Sequence, residues 1–325
     1  MSGESIPHAG RDRSVRGLSQ RLPEASALIL FLIVETVFFS LKSPYFLAWD
    51  NWLNILTAIA VIGIIAAPGT MLLTAGQFDL SVGSITAFTS VVMANLALSH
   101  SIGVSVVVAV AAGVAVGLIN GFLVTVVGVN ALITTLGTLA AFRGLAEVIA
   151  KGQTVGVEGF EFLGTERPFW NIPVTVLVFI AVLVAMWALM RFTVYGRAMY
   201  AIGSNPSAAR LVGIRSGRFI FIGFVLSAAA CALGGLIFTS QLSVGSPLFG
   251  TGMELSVITA IVLGGASLSG GRGSIVGTAV GLLIIGILNN GLTLTGVDPF
   301  WQNVARGALL IGAVSFDRLR ARLGE

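Results

Sequence analysis

Charged residues are scarce in this sequence. Only 10% of its 325 residues are Asp, Glu, Lys or Arg, whereas 56% are hydrophobic. Soluble globular domains carry about 25% charged residues, so this composition excludes an ordinary soluble domain. It predicts an all-α polytopic membrane protein.

Cysteine and histidine are also scarce. The single cysteine, Cys231, excludes an intramolecular disulfide and a metal site built from cysteines. The two histidines, His8 and His100, lie in the N-terminal tail and in a short loop between apolar runs. A proton-driven carrier usually needs a buried relay of carboxylates or histidines inside the membrane. Because neither histidine lies inside an apolar run, the sequence argues against transport coupled to protons.

The phosphate-binding pattern G-x-x-x-x-G-K-[ST] is absent as well. Residues 268–272 resemble the signature loop of ATP-binding cassettes, but no soluble stretch is long enough to hold a nucleotide-binding domain. We interpret them as a glycine-rich cytoplasmic turn. We expect no cofactor bound by this chain, and we expect that any ATP that powers it is hydrolysed by another protein.

Apolar runs of about 17 to 25 residues, the length that crosses a hydrocarbon core of about 30 Å as a helix, recur along the chain. They lie at residues 25–41, 52–75, 82–98, 103–127, 131–150, 172–190, 218–238, 254–270, 274–294 and 299–316. The sequence predicts about ten transmembrane helices; nine or eleven stay open because 82–98 and 254–270 are the shortest runs. The predicted membrane domain spans residues 25–317, between tails at 1–24 and 318–325.

Basic residues are distributed asymmetrically. If ten helices cross with both ends inside, the inner segments hold 13 of the 18 basic residues. These are Arg11, Arg13, Arg16, Arg21, Arg191, Arg197, Arg210, Arg215, Arg218, Arg272, Arg318, Arg320 and Arg322. Cytoplasmic loops of membrane proteins are enriched in Lys and Arg. The pattern predicts a multi-pass membrane protein with both termini and the loop 191–217 in the cytoplasm, and it explains the basic charge without nucleic-acid binding.

Within that loop, residues 204–213 have the pattern of a short capped helix. Ser204 or Asn205 can accept a hydrogen bond from the first-turn N–H groups, and Pro206 suits the first helical position. Gly213 can take the left-handed conformation that follows a last turn. The sequence predicts a helix of about two turns, although an ordinary cytoplasmic loop that caps well would show the same pattern.

Two blocks of sequence recur in the same order. Asp79-Leu-Ser-Val resembles Glu254-Leu-Ser-Val, and the block that begins at Asn120 resembles the block that begins at Asn290, at offsets of 175 and 170 residues. The spans before the first pair are five crossings apart, which inverts the second copy. We therefore predict an inverted repeat, about 52–150 and about 218–316, with a translocation path at the repeat interface.

Polar groups occur inside or beside the apolar runs. Neutral amides suit an uncharged, polyhydroxylated cargo, although they serve equally well as hydrogen-bonding groups between helices. The candidates for a translocation path are Asn120, Asn130, Asn290, Gln302 and Asn303. Asp79 and Glu254 open the two repeat blocks, where capping of a helix N-terminus is the default role for a carboxylate. Arg143 and Glu147 are four residues apart and can pair on one helix face.

Five motifs from about Asn51 to Ser315 carry a family resemblance. They are GQFDLSVGS at 76–84, TLGT with FRG in 135–144, AIGSNP with AARLVGI in 201–214, LGGASLSGGRG at 263–273 and NNGL at 289–292. Together they resemble the permease subunits of ribose-type bacterial ABC importers, in the branched-chain amino acid/ribose permease family. The family often has Gly-Gly-Ile-Asp where this chain has Gly76-Gln-Phe-Asp. This departure argues against assigning to this chain the sugar of any one family member.

The resemblance implies a permease subunit of the bacterial inner membrane, not an enzyme, that moves a pentose, hexose or related monosaccharide inward. It implies a second permease, a periplasmic sugar-binding protein, and a cytoplasmic ABC ATPase whose groove receives the loop helix. The helix residues that match the motif are Ser204, Asn205, Pro206, Ala208, Ala209, Arg210, Leu211 and Gly213. A self-contained secondary sugar carrier and, less favoured, an intramembrane enzyme are the alternatives.

Overall fold

The computed structural model describes residues 24–298, 300–305, 307–309, 311–312 and 315. Apart from Glu24, the tails predicted at 1–24 and 318–325 lie outside the described residues. The helices are α1 Glu24–Lys42, α2 Trp49–Thr74, α3 Val82–Ala97, α4 Ile102–Phe122, α5 Ala131–Ala150, α6 Phe162–Thr165, α7 Val174–Phe192, α8 Val194–Ser204, α9 Pro206–Leu211, α10 Ser216–Leu242, α11 Met253–Leu263 and α12 Ile275–Leu294. A π-helix, Leu123–Val127, extends α4. The described residues from 300 to 315 are helical too.

Among the described residues, six helices are long and apolar enough to cross a membrane. They are α2, α4 with its π-helical extension, α5, α7, α10 and α12. α2 and α10 lie at the centre, since 72% and 67% of their apolar windows are buried, against 22% for α5. The polytopic all-α class is confirmed, and these six helices start and end close to predicted apolar runs.

The predicted span at 254–270 is wrong in length. α11 ends at Leu263 after 11 residues, and the chain continues as a glycine-rich turn to Ser274, where α12 is capped. Gly265 has φ of +89°, which favours glycine and stops the helix. At about 1.5 Å per residue α11 is roughly 16 Å long, too short to cross a membrane by itself.

The same order of elements occurs twice. α2, with 26 residues, is followed by a non-helical connection and the short helix α3; α10, with 27 residues, is followed by a non-helical connection and the short helix α11. Two short strands, β1 Val155–Gly156 and β2 Val244–Gly245, pair antiparallel and tie the second connection to the loop after α5. The two connections lie close together and position the polar groups described next.

Candidate functional site

The loop helix α9 has the conformation that the sequence predicts. The side chain of Asn205 caps it, because its Oδ1 accepts hydrogen bonds from the N–H groups of Ser207 at 3.1 Å and Ala208 at 3.0 Å. Pro206 occupies the first turn, and Gly213 has φ of +82°. Ser204, the other candidate cap, is instead the last residue of α8.

α9 is anchored on one side and exposed on the other. Ala209 is only 3% exposed and packs in an apolar cluster with Met199 and Phe224, whereas Leu211 is 89% and Val212 76% exposed. Arg210 is exposed as well. The end of the helix therefore exposes an apolar tip, formed by Leu211 and Val212, beside the positive charge of Arg210. Exposed apolar groups of this kind mark interaction surfaces when they cluster.

A polar network holds the connection between α2 and α3. Asp79 Oδ1 accepts hydrogen bonds from the backbone N–H of Ser81 at 3.0 Å and from its hydroxyl at 2.5 Å, and Asp79 Oδ2 accepts one from the Ser227 hydroxyl at 2.7 Å. The Asn120 amide donates to Ser81 Oγ at 2.9 Å. Asp79 thus braces the connection just before α3 and does not cap the helix itself, because among the described residues no side chain accepts a hydrogen bond from the first-turn N–H groups of α3. Asn120 joins α4 to this connection.

The connection between α10 and α11 is held by Arg143 of α5. Its guanidinium donates hydrogen bonds to the carbonyl of Pro247 and, at 2.7 Å, to that of Phe249. These carbonyls, and not Glu147, receive its hydrogen bonds, while Glu254 and Glu147 both act on it electrostatically. The predicted pairing within α5 is therefore replaced by a brace between α5 and the second connection.

Four of the five predicted path amides use their polar groups within the chain. Asn120 is described above; Asn290 exchanges two hydrogen bonds with Asn51, at 3.0 Å and 2.9 Å, between α12 and α2. Asn130 caps α5 by accepting from the N–H of Leu132. Gln302 donates to the Thr293 hydroxyl at 3.0 Å. These four residues therefore make hydrogen bonds between and along helices, and their place on a translocation path stays a prediction.

Asn303, the fifth amide, lines a cavity of about 570 Å³ beside the start of α11. The lining also includes Thr251, Ser256, Thr259 and the ring of Phe238. Ser256 and Thr259 lie three residues apart, on one face of α11. This pair was not among the predicted path residues, although it lies in the Glu254-Leu-Ser-Val-Ile-Thr block on which the predicted repeat rests.

A larger cavity of about 1240 Å³ lies beside α9 and the start of α10. Asn130, Gly213 and three arginines are among its lining residues, and the arginines are Arg210, Arg215 and Arg218. Within the described part of the chain its lining contains these arginines and no acidic side chain, so the mouth is positively charged. Among the residues that the structure describes, no cluster of three or more His, Cys, Asp or Glu residues could hold a metal ion.

Known proteins are similar to this chain along nearly its whole length. Residues 51–314 match the family model of the permease component of branched-chain amino acid transport systems. The chain is 40% identical over 313 residues to the ribose import permease protein RbsC of Bacillus subtilis (strain 168), covering 94% of this chain and 95% of that protein. It is 36% identical over 324 residues to the L-arabinose transport system permease protein AraH of Escherichia coli (strain K12), covering 99% and 98%. No solved structure matches it significantly.

Proposed function

The chain belongs to the branched-chain amino acid transport permease family, and on that premise we propose that it is the membrane subunit of an ABC importer for a monosaccharide. Relatives named as ribose and L-arabinose permeases align with it along more than nine-tenths of its length. Ribose, L-arabinose and sugars of similar size are therefore the first cargo candidates. In this role the chain binds no nucleotide, because ATP binds to a separate subunit.

The observation that carries the proposal is the exposed apolar tip of α9. An asparagine cap, a proline in the first turn and a left-handed glycine after the last turn all define this helix of six residues. Against the residues that the structure describes, the Leu211 side chain stays 89% exposed and that of Val212 76% exposed. A groove on a cytoplasmic ATPase that covers these two side chains would account for both features, since apolar area removed from water stabilises a complex by about 25 cal/mol per Å².

The proposed topology has ten membrane-entering segments, built as two inverted halves with both termini in the cytoplasm. Its structural support is the repeated order of long helix, non-helical connection and short helix in α2–α3 and α10–α11. Transporters built from inverted repeats place their substrate path where such interrupted helices meet. The positive charge of loop 191–217 supports its cytoplasmic location.

The proposed path includes the cavity at the start of α11. The hydroxyls of Thr251 and Thr259 donate to backbone carbonyls of their own segments, and their oxygens can still accept hydrogen bonds from a sugar. Ser256 and Asn303 add polar groups to the same lining, and Phe238 offers an apolar face to a sugar ring. A second permease, identical or homologous, would complete the path, and a periplasmic binding protein would deliver the sugar. ATP binding would draw the two α9 helices together and rock the permeases about this path, giving alternating access.

Reconstitution tests this function directly. Proteoliposomes that contain this chain, its cognate ATPase and its sugar-binding protein should take up radiolabelled ribose, L-arabinose or a related monosaccharide only when ATP is supplied on the ATPase side. Vesicles with this chain alone and a proton or sodium gradient should take up none. Gradient-driven uptake without the ATPase would establish the secondary carrier instead, and chemical turnover of the sugar or of a lipid by the purified chain would establish an enzyme.

A further inference from the structure

Three backbone segments meet in close contact just before α9. They are the end of α2 at Thr74, the end of α8 at Gly203, and the glycine-rich turn 264–274 between α11 and α12. The N–H of Gly271 donates a hydrogen bond of 2.8 Å to the carbonyl of Thr74. A Cβ on Gly203 would lie 1.8 Å from that same carbonyl oxygen and 2.5 Å from the nitrogen of Gly271. We call these three residues the glycine junction.

Tyr200, one turn before Gly203, joins the same turn through its side chain. Its hydroxyl donates a hydrogen bond of 2.6 Å to the carbonyl of Gly273. Burial raises the pKa of the Tyr200 phenol, against a smaller lowering by Arg191, so the group remains a protonated donor at neutral pH. α8 is thus fixed to the glycine-rich turn at two points, one through backbone contact and one through a side chain.

The elements on either side of these contacts make the connection short and stiff. Asn205 is the only residue between α8 and α9, and its own N–H is bonded to the carbonyl of Ala201. On the other side, the turn is braced by a hydrogen bond of 3.1 Å from the Ser267 N–H to the Arg272 carbonyl. A displacement of α9 therefore reaches the turn, and with it the end of α11, through few freely rotating bonds.

We propose that Tyr200 and the glycine junction transmit the movement of α9 to α11, whose other end lines the proposed sugar cavity. The inference rests on the proposed function, since it assumes that α9 docks on an ATPase. Tyr200 and Gly203 are positioning residues: they touch neither sugar nor nucleotide, and they act by holding α8 against the turn. The family motif residues 263–273 thereby receive a mechanical role in the permease that involves no nucleotide.

A wedge in the junction tests this role. Gly203→Ala inserts a methyl group between the Thr74 carbonyl and Gly271 in a helix that otherwise favours alanine. Gly103→Ala in α4 is the matched control, because a Cβ there meets nothing within 4 Å. In the reconstituted complete transporter, Gly203→Ala should retain the ATPase in the purified complex and retain ATP hydrolysis. Sugar moved per ATP should fall at least about fivefold, while Gly103→Ala should match the wild type.

Tyr200→Phe provides a second variant that keeps the ring and removes only the hydroxyl donor. It should also lower sugar moved per ATP, by about twofold or more, with an unchanged thermal unfolding midpoint. If the Gly203→Ala chain does not assemble with the ATPase, the ratio of sugar moved per ATP in Tyr200→Phe decides the test. An unchanged ratio in every assembled variant would overturn the inference while wild-type uptake still supports the importer; absence of ATP-dependent uptake by the wild type would instead overturn the proposed function.

Discussion

Gly83 and Gly250 approach each other so closely that neither has room for a side chain. A Cβ on Gly83 would lie 2.1 Å from the carbonyl oxygen of Gly250, and a Cβ on Gly250 would lie 2.8 Å from the carbonyl oxygen of Gly83. Glu254 Oε2 lies 3.0 Å from the same position on Gly83. The start of α3 therefore touches the connection that leads into α11, and this contact brings together the two blocks that resemble each other in sequence.

We expect Gly83→Ala to destabilise the protein. The added methyl group meets a backbone carbonyl that cannot rotate away, and overpacking of this kind costs about 1–3 kcal/mol. That loss should exceed the gain in helix propensity, which is about 1 kcal/mol. Thermal unfolding of the detergent-solubilised protein measures it, with Gly103→Ala as control. Equal midpoints for the two variants would contradict the contact.

The amides of Asn51 and Asn290 should be energetically coupled. Asn290→Leu leaves the buried Asn51 amide without one donor and one acceptor partner, and such interhelical hydrogen bonds contribute about 0.6 to 1.7 kcal/mol in membranes. We expect Asn51→Leu with Asn290→Leu to lose less unfolding free energy than the sum of the single changes, by about 1 kcal/mol. Pairing Asn290→Leu with Gln153→Leu, at an exposed position in the loop after α5, should give additive losses.

Arg143→Lys should loosen the connection between α10 and α11. A lysine ammonium lacks the forked geometry with which the guanidinium reaches the carbonyls of Pro247 and Phe249. We expect amide hydrogen exchange in residues 246–252 to be about tenfold faster, which corresponds to about 1.4 kcal/mol. Arg167→Lys, in an exposed part of the loop after α5, is the control. Unchanged exchange after Arg143→Lys would show that the hydrogen bonds of Arg143 do not limit local opening of residues 246–252.

Aspartate at Leu211 and aspartate at Ala209, both in α9, should affect the stability of the protein differently. Leu211→Asp lies on the exposed tip, so we expect stability within about 0.5 kcal/mol of the wild type. Co-purification with the ATPase should nevertheless be lost, because a charge replaces the apolar contact. Ala209→Asp buries an unpaired charge in the cluster with Met199 and should prevent folding. A Leu211→Asp variant that still binds the ATPase and transports normally would show that α9 docks elsewhere or not at all.

Features that depend on neighbours in the chain were predictable from sequence. The start and end of α5 agree with the apolar run 131–150, because the length and composition of a run fix a membrane helix. The cap at Asn205 and the left-handed Gly213 were predictable because both depend on backbone within three residues. The family followed from short motifs between about Asn51 and Ser315, and the family model matches residues 51–314.

The partners of polar groups depended on packing between helices that are far apart in sequence. Asn290 meets Asn51 across 239 residues, and Arg143 meets Phe249 across 106 residues, distances over which no local pattern operates. The early end of α11 likewise follows from a turn that packs against α2 and α8. The sequence by itself determined a helical membrane protein of this permease family with a capped loop helix. The tertiary structure alone decided which polar groups hold helices together and which line a cavity, because these groups come from segments far apart in sequence that meet only in the folded chain.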